Sequence, residues 1–128
     1  MTVPSKIILT FALLLGTAFP VWAHAFVDHA DPAVGSQTHS APRQVKIWFT
    51  EKLEPALSKI QVFDAAGREV DKRDVKLDQS NTSLLTVSLS DLQPGKYRVT
   101  WRAVSLDTHV TTGDFKFELV GSTASLGP

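Results

Sequence analysis

The sequence predicts an all-β domain of the immunoglobulin-like sandwich type. Apolar residues recur with a period of two in several short runs. Turn-forming residues separate these runs at spacings typical of a β-sandwich. No part of the chain beyond its apolar first segment has the pattern of a long amphipathic helix. The runs amount to about seven strands, the number expected for a sandwich of this length.

The strands follow one another with turns between them. The first is an extended segment at 25–30, and a polar, edge-like stretch runs from the turn at 65–68 to Lys76. Further turns are expected at 81–83 and at 93–95, where proline and glycine occur together. The residues expected to face the interior alternate with polar ones: Val45, Ile47, Phe49, Ile60, Val62, Leu85, Val87, Leu89, Tyr97, Val99, Trp101, Phe115, Phe117 and Leu119. Trp48 and Trp101 are interpreted as packing aromatics rather than ligand-stacking ones.

Residues 1–23 are typical of a cleavable secretory signal. Lys6 supplies the positive end, residues 7–15 are apolar, and small residues occupy the end of the segment. An uncleaved anchor is the alternative, but the apolar stretch is short for a bilayer span. We therefore expect a signal peptide at 1–23, one exported domain at 24–120 and a frayed tail at 121–128.

Composition excludes several classes of function. The chain has 13 basic and 13 acidic residues, and removal of Lys6 with the signal leaves 12 basic ones. This balance argues against nucleic acid or an anionic membrane as the default partner, and no membrane insertion of the mature chain is expected. Cysteine is absent and Met1 is the single methionine, so a metal site would use nitrogen and oxygen ligands.

Three residues point to such a site. Cleavage after Ala23 would make His24 the N-terminus, where its amine and its ring Nδ1 can chelate one metal. Asp107 and His109 are two positions apart, so in an extended segment both side chains project to the same side. This nitrogen-rich set with one carboxylate suits the tetragonal geometry of Cu(II). By itself, however, an Asp-x-His sequence is more often a solvated hydrogen-bonded pair.

The mature chain resembles the CopC family of periplasmic copper-binding proteins. The resemblance is carried by residues 24–27, 31–35, 45–51, 94–109 and 113–117. It implies a Greek-key sandwich or barrel, related in outline to cupredoxins, that holds Cu(II) through His24, Asp107 and His109. Some members place a glutamate beside the copper, and the matching residue here is Glu51; a solvated carboxylate at a strand end is the alternative interpretation.

The resemblance implies a non-enzymatic, periplasmic protein that buffers or passes on copper in copper homeostasis or resistance. A CopD-like inner-membrane protein is the partner it suggests. The lack of methionine after the signal groups the chain with Cu(II)-only members. His29 and His39 are interpreted as surface or hydrogen-bonded residues. Two other functions remain open, a copper monooxygenase with a histidine brace and a metal-free interaction module.

Overall fold

In a computed structural model of the protein, residues 26–121 are described, and they form eight β-strands and no helix. The strands are β1 (Val27–Asp31), β2 (Gln37–Thr38), β3 (Gln44–Phe49), β4 (Lys59–Phe63), β5 (Lys76–Leu77), β6 (Leu84–Ser88), β7 (Gly95–Val104) and β8 (Val110–Leu119). The predicted all-β class is confirmed. The signal segment and residues 122–128 of the predicted tail lie outside the described residues.

The strands form two four-stranded sheets that enclose the core. One sheet has the order β1-β3-β6-β5, and the other has the order β2-β8-β7-β4. All pairings are antiparallel except that of β2 with β8. The sandwich therefore brings the predicted core rows of both sheets face to face.

The alternation predicted from the sequence holds in the sheet interiors. In β3, Val45 and Ile47 are fully buried, whereas Trp48 on the opposite face is half-buried. Trp101 faces inward from β7 and meets Phe49 edge-on, with 5.3 Å between ring centroids. Its ring also lies over Gly113 on β8, where a Cβ atom would come within 2.5 Å of it. Both tryptophans thus pack against the scaffold, as predicted.

The structure contains one strand more than the seven expected. The additional strand is β2, whose two polar residues carry no apolar alternation and are held by backbone pairing with β8. The predicted edge-like stretch becomes a strand only at β5. Before it, isolated bridges from Glu69 to Phe63 and from Asp71 to Leu89 tie the stretch to both sheets.

Strands β7 and β8 form the longest hairpin of the fold, and their connection defines one end of the sandwich. Ten residue pairs align from Gly95 with Leu119 to Val104 with Val110. The connecting loop, residues 105–109, contains the predicted Asp-x-His ligands. No helix within residues 26–121 has the length and apolar character needed to cross a membrane.

Candidate metal centre

The loop at 105–109 brings Asp107 and His109 into contact. His109 Nδ1 lies 3.0 Å from Asp107 Oδ2, and both side chains are about half exposed, at 50% and 57%. With Nδ1 directed at the carboxylate, a metal would bind the ring through Nε2. This is the arrangement in which a carboxylate orients a metal-binding imidazole.

Ser105 holds Asp107 from beneath the loop. Ser105 is 2% exposed, and its Oγ donates a hydrogen bond to Asp107 Oδ1. This hydrogen bond, with the nearby His109 ring, lowers the pKa of Asp107 below the ordinary aspartate value. Both carboxylate oxygens thus have a protein partner, and the group stays charged at neutral pH.

The backbone of the loop is a tight turn closed by two hydrogen bonds. Ser105 N donates to His109 O at 3.0 Å, and Thr108 N donates to Ser105 O at 2.9 Å. Thr108 lies in the left-handed region with φ of 71°. A β-branched residue rarely adopts this conformation, which costs on the order of 1–3 kcal/mol. The loop is therefore held in shape by its surroundings.

The sequence-based reason for pairing Asp107 with His109 was wrong. We expected an extended segment whose alternation places both side chains on one side. The structure instead has a turn, in which the positive φ of Thr108 breaks the extended geometry. The two side chains still meet, because the turn folds the chain back between β7 and β8.

A short segment after β3 links this loop to the start of the described chain. Phe26 N donates to Thr50 Oγ1 at 3.0 Å, and Thr50 N donates to Phe26 O at 2.9 Å. Two residues further on, Leu106 N donates to Lys52 O at 3.2 Å, and Leu53 bridges to Ser105. The segment at 50–53 thus contacts the N-terminal strand on one side and the candidate loop on the other.

The structure describes the positions of three of the four ligands predicted from the sequence. Asp107 and His109 are together, as described. Glu51 is exposed and lies within the linking segment at 50–53. His24 lies outside the described residues. Among residues 26–121, no three histidine or carboxylate side chains form a group that could hold a metal by themselves.

The remaining histidines match the interpretation given to them. His29 Nδ1 lies 2.6 Å from Asp28 Oδ2, and the His29 ring stacks on Trp48 with 4.2 Å between centroids and an interplanar angle of 12°. His39 is exposed. Neither belongs to a three-ligand group of the described residues.

Two residues that shape the site were not predicted from the sequence. Ser105 positions Asp107, and Thr50 fixes the chain at Phe26 through its hydroxyl. A Ser-x-Asp spacing within a predicted turn is a signal that could have identified Ser105, because serine side chains commonly bond to groups two residues away. Thr50 leaves no such signal, since its partner is distant in sequence.

The chain is related to a known protein family. The model of the CopC domain matches residues 27–120. The chain belongs to the CopC family. Its relatives include copper resistance protein C of Escherichia coli, 30% identical over 124 residues, with 91% of this chain and 98% of that protein covered. The copper transport protein CutJ of Bacillus subtilis is 35% identical over 99 residues, which make up 77% of this chain and 18% of that protein.

A solved CopC structure agrees with the fold. The crystal structure of CopC from Methylosinus trichosporium OB3b superposes with a TM-score of 0.72 at 30% identity, covering 77% of this chain and 95% of that one. The Greek-key β-sandwich expected from the sequence is thereby confirmed. Relatives of this chain are named for copper resistance and copper transport.

Proposed function

We propose that the mature CopC domain begins at His24 and binds one Cu(II) through His24, Asp107 and His109. The amine and Nδ1 of His24 would supply two nitrogen ligands, and Nε2 of His109 a third. The observation that carries this proposal is the contact of Asp107 with His109 beside the segment that bonds Phe26.

The position of Phe26 supports the part assigned to His24. Two hydrogen bonds fix Phe26 to Thr50, and the chain reaches at most about 7 Å over two residues. Lys52, two residues beyond Thr50, bonds the candidate loop at Leu106. If the mature chain starts at His24, this residue would therefore lie a short distance from Asp107 and His109.

The chemistry of the donors supports Cu(II) as the bound ion. The set contains imidazole, amine and carboxylate groups, which suit tetragonal Cu(II), and the mature sequence offers neither thiolate nor thioether for Cu(I). Asp107 Oδ2 faces Nδ1 of His109, which points away from Nε2, so direct binding of Asp107 to the same ion requires the carboxylate to give up this contact and turn towards the metal. Glu51, in the linking segment, would add negative charge beside the ion.

We further propose that the protein works in the periplasm as a carrier or buffer of Cu(II), after removal of residues 1–23, and that it is not an enzyme. A CopD-like membrane protein is the proposed recipient of the copper. CutJ supports this link, because its CopC-like segment is part of a much longer chain named for copper transport. Copper-loaded protein that oxidised a polysaccharide in the presence of peroxide would contradict the carrier role.

The decisive experiment changes only the N-terminus. Protein starting at His24 is titrated with Cu(II) against a competing chelator and examined by electron paramagnetic resonance. A variant with one alanine added before His24 places the amine in a peptide bond, so we expect at least about a hundredfold weaker binding and a changed spectrum. His29→Ala, made in the chain that starts at His24, is the matched control and should bind as tightly as the wild type. Equal affinity of the extended and unextended proteins would refute the chelate.

A further inference from the structure

The outer face of the β2-β8-β7-β4 sheet carries an unusual arrangement of positive charge. Four side chains define this cationic face, which lies on the three strands β4, β7 and β8: Lys59, Arg98, Arg102 and Lys116. They alternate with the inward-facing core residues of the same strands, so all four project to the same side of the sheet.

The four cations form two pairs of like charge. Lys59 is directly opposite Arg102 across β4 and β7, and Arg98 is directly opposite Lys116 across β7 and β8. Side chains that are directly opposite in an antiparallel pair have Cβ atoms only about 4.5–5.5 Å apart. Like charges at such positions destabilise a sheet. The two cationic pairs therefore do not contribute to the stability of the fold.

Two carboxylates of the described residues share this face, since Asp114 and Glu118 lie on either side of Lys116 along β8. None of the four cations forms an ion pair among residues 26–121. Asp114 is the one acidic residue lining the groove between them, where it is aligned with Thr100. The two arginines are held by other contacts: Arg102 donates to Leu57 O at 2.8 Å, and the Arg98 guanidinium lies 5.8 Å from the Phe63 ring centroid.

Between the two pairs lies a shallow groove. It has a volume of about 420 Å³, and its uncharged lining combines Gln61, Thr100 and Thr112 with the partly buried Trp101. The arginines of the two pairs are four residues apart on β7, a distance of about 13 Å along a strand. None of the exposed large apolar side chains of residues 26–121 lines this groove. A membrane-binding surface would need such side chains to insert among lipids.

We propose that the cationic face binds an extended acidic segment of a protein partner. Carboxylates four residues apart on an extended chain point to the same side and would meet both pairs at once. Each would relieve one like-charge contact, while the amide and hydroxyl groups of the groove donate to the backbone of the segment. This binding is independent of the copper ligands, which lie in the 105–109 loop and at the N-terminus.

The test uses a double charge reversal with opposite effects on stability and binding. In Lys59→Glu/Lys116→Glu, each like-charge pair becomes an opposite-charge pair, so Tm should rise by a few degrees. Cu(II) affinity should stay within about twofold of the wild type, because neither residue is a proposed ligand or takes part in the hydrogen bonds that hold Asp107. The matched control is Lys46→Glu/Lys76→Glu on the other sheet, where both lysines are aligned with Thr86.

The probe is a peptide of ten glutamates added to the metal-free protein, with binding followed by calorimetry and by amide chemical shifts. We expect the wild type and the control to bind it with shifts centred on β7 and β8, and the double reversal to bind at least tenfold more weakly. Equal binding by the double reversal and the control would overturn the proposal. Binding to vesicles that contain phosphatidylglycerol, without binding to the peptide, would also overturn it in favour of a membrane.

Discussion

Two histidine–aspartate pairs among residues 26–121 have nearly the same local contact but different surroundings. Asp28 with His29 and Asp107 with His109 have the same atoms in contact, at 2.6 Å and 3.0 Å. Their exposures are also similar, with side chains 50–62% exposed in both pairs. The distance between the partners and their burial therefore do not distinguish the pairs.

What differs is the surroundings of each pair. Asp28 and His29 are neighbours on β1, an outer strand of its sheet, and His29 is stacked on Trp48. Asp107 and His109 lie on a turn, with a buried hydroxyl from Ser105 beneath the carboxylate. The loop that carries the second pair is bonded, through Leu106 and Ser105, to the segment that also fixes Phe26. Under the proposed assignment, the second pair is the one that His24 would join as a further donor.

Replacing one histidine of each pair should give the largest difference in Cu(II) affinity between the two pairs. His109→Ala removes a proposed ligand and should weaken Cu(II) binding by at least about a hundredfold, whereas His29→Ala should change it by less than about twofold. Competitive titration of both variants, in protein that starts at His24, measures the difference. Comparable losses in the two variants would mean that the Asp28 pair also contributes to binding.

Acidification should weaken copper binding through the nitrogen ligands rather than through Asp107. Metal must displace protons from the amine and from imidazole, so affinity should fall about tenfold or more between about pH 7.5 and about pH 5.5. The pKa of Asp107 is lowered, chiefly by the hydrogen bond from Ser105. A carboxyl with a lowered folded-state pKa is charged throughout this range and takes up its proton only at more acidic pH.

Asp107→Asn tests this assignment of the pH dependence. The variant should bind Cu(II) more weakly at every pH, because a charged ligand is lost, but its binding should still fall on acidification, because protons of the amine and imidazole must still be displaced. Titrations at several pH values measure both quantities. A variant whose affinity no longer falls between about pH 7.5 and about pH 5.5 would show that the carboxylate itself is the titrating ligand.

Ser105 is a further difference between the two pairs, since the Asp28 pair has no equivalent of its buried hydroxyl. Ser105→Ala removes the hydrogen bond to Asp107 Oδ1 and should weaken Cu(II) binding by about tenfold, the lower range for an outer partner of a ligand. Ser105→Thr keeps the hydroxyl and should recover part of the loss. Electron paramagnetic resonance spectra separate the roles, because a merely structural effect would leave the copper signal of the bound fraction unchanged.

The smallest effect is expected at the other pair. Asp28→Asn should change the free energy of unfolding by less than about 0.5 kcal/mol, since ion pairs this exposed contribute little. Chemical denaturation measures it, with His29→Ala as the companion variant. A destabilisation above about 1 kcal/mol would show that the pair holds β1 on its sheet.

Much of the fold could be predicted because its long strands follow simple alternation. The buried row of β3 and the turn before β7 follow from residue type and spacing. Strand β2 could not be predicted, because Gln37 and Thr38 are polar and their pairing depends on backbone bonds with β8. Short strands of this kind are determined by their neighbours rather than by their own sequence.

The candidate site could be predicted in part for a related reason. Asp107 and His109 were predicted as ligands because carboxylate and imidazole groups bind metals, and the structure brings the two side chains together. The turn that does so could not be foreseen, because Thr108 belongs to a residue class that avoids positive φ. The link from Thr50 to Phe26 spans two distant parts of the chain and becomes visible only in the folded protein. Glu51 stays a prediction.

The conformation of Thr108 limits how the loop at 105–109 can be transplanted into another protein. Thr108 disfavours its own backbone conformation. The β7 and β8 strands on either side and the bridge from Leu53 to Ser105 maintain it. Five residues grafted onto a foreign hairpin would relax, and the aspartate and histidine would separate. The portable unit is the whole β7–β8 hairpin together with the segment at 50–53.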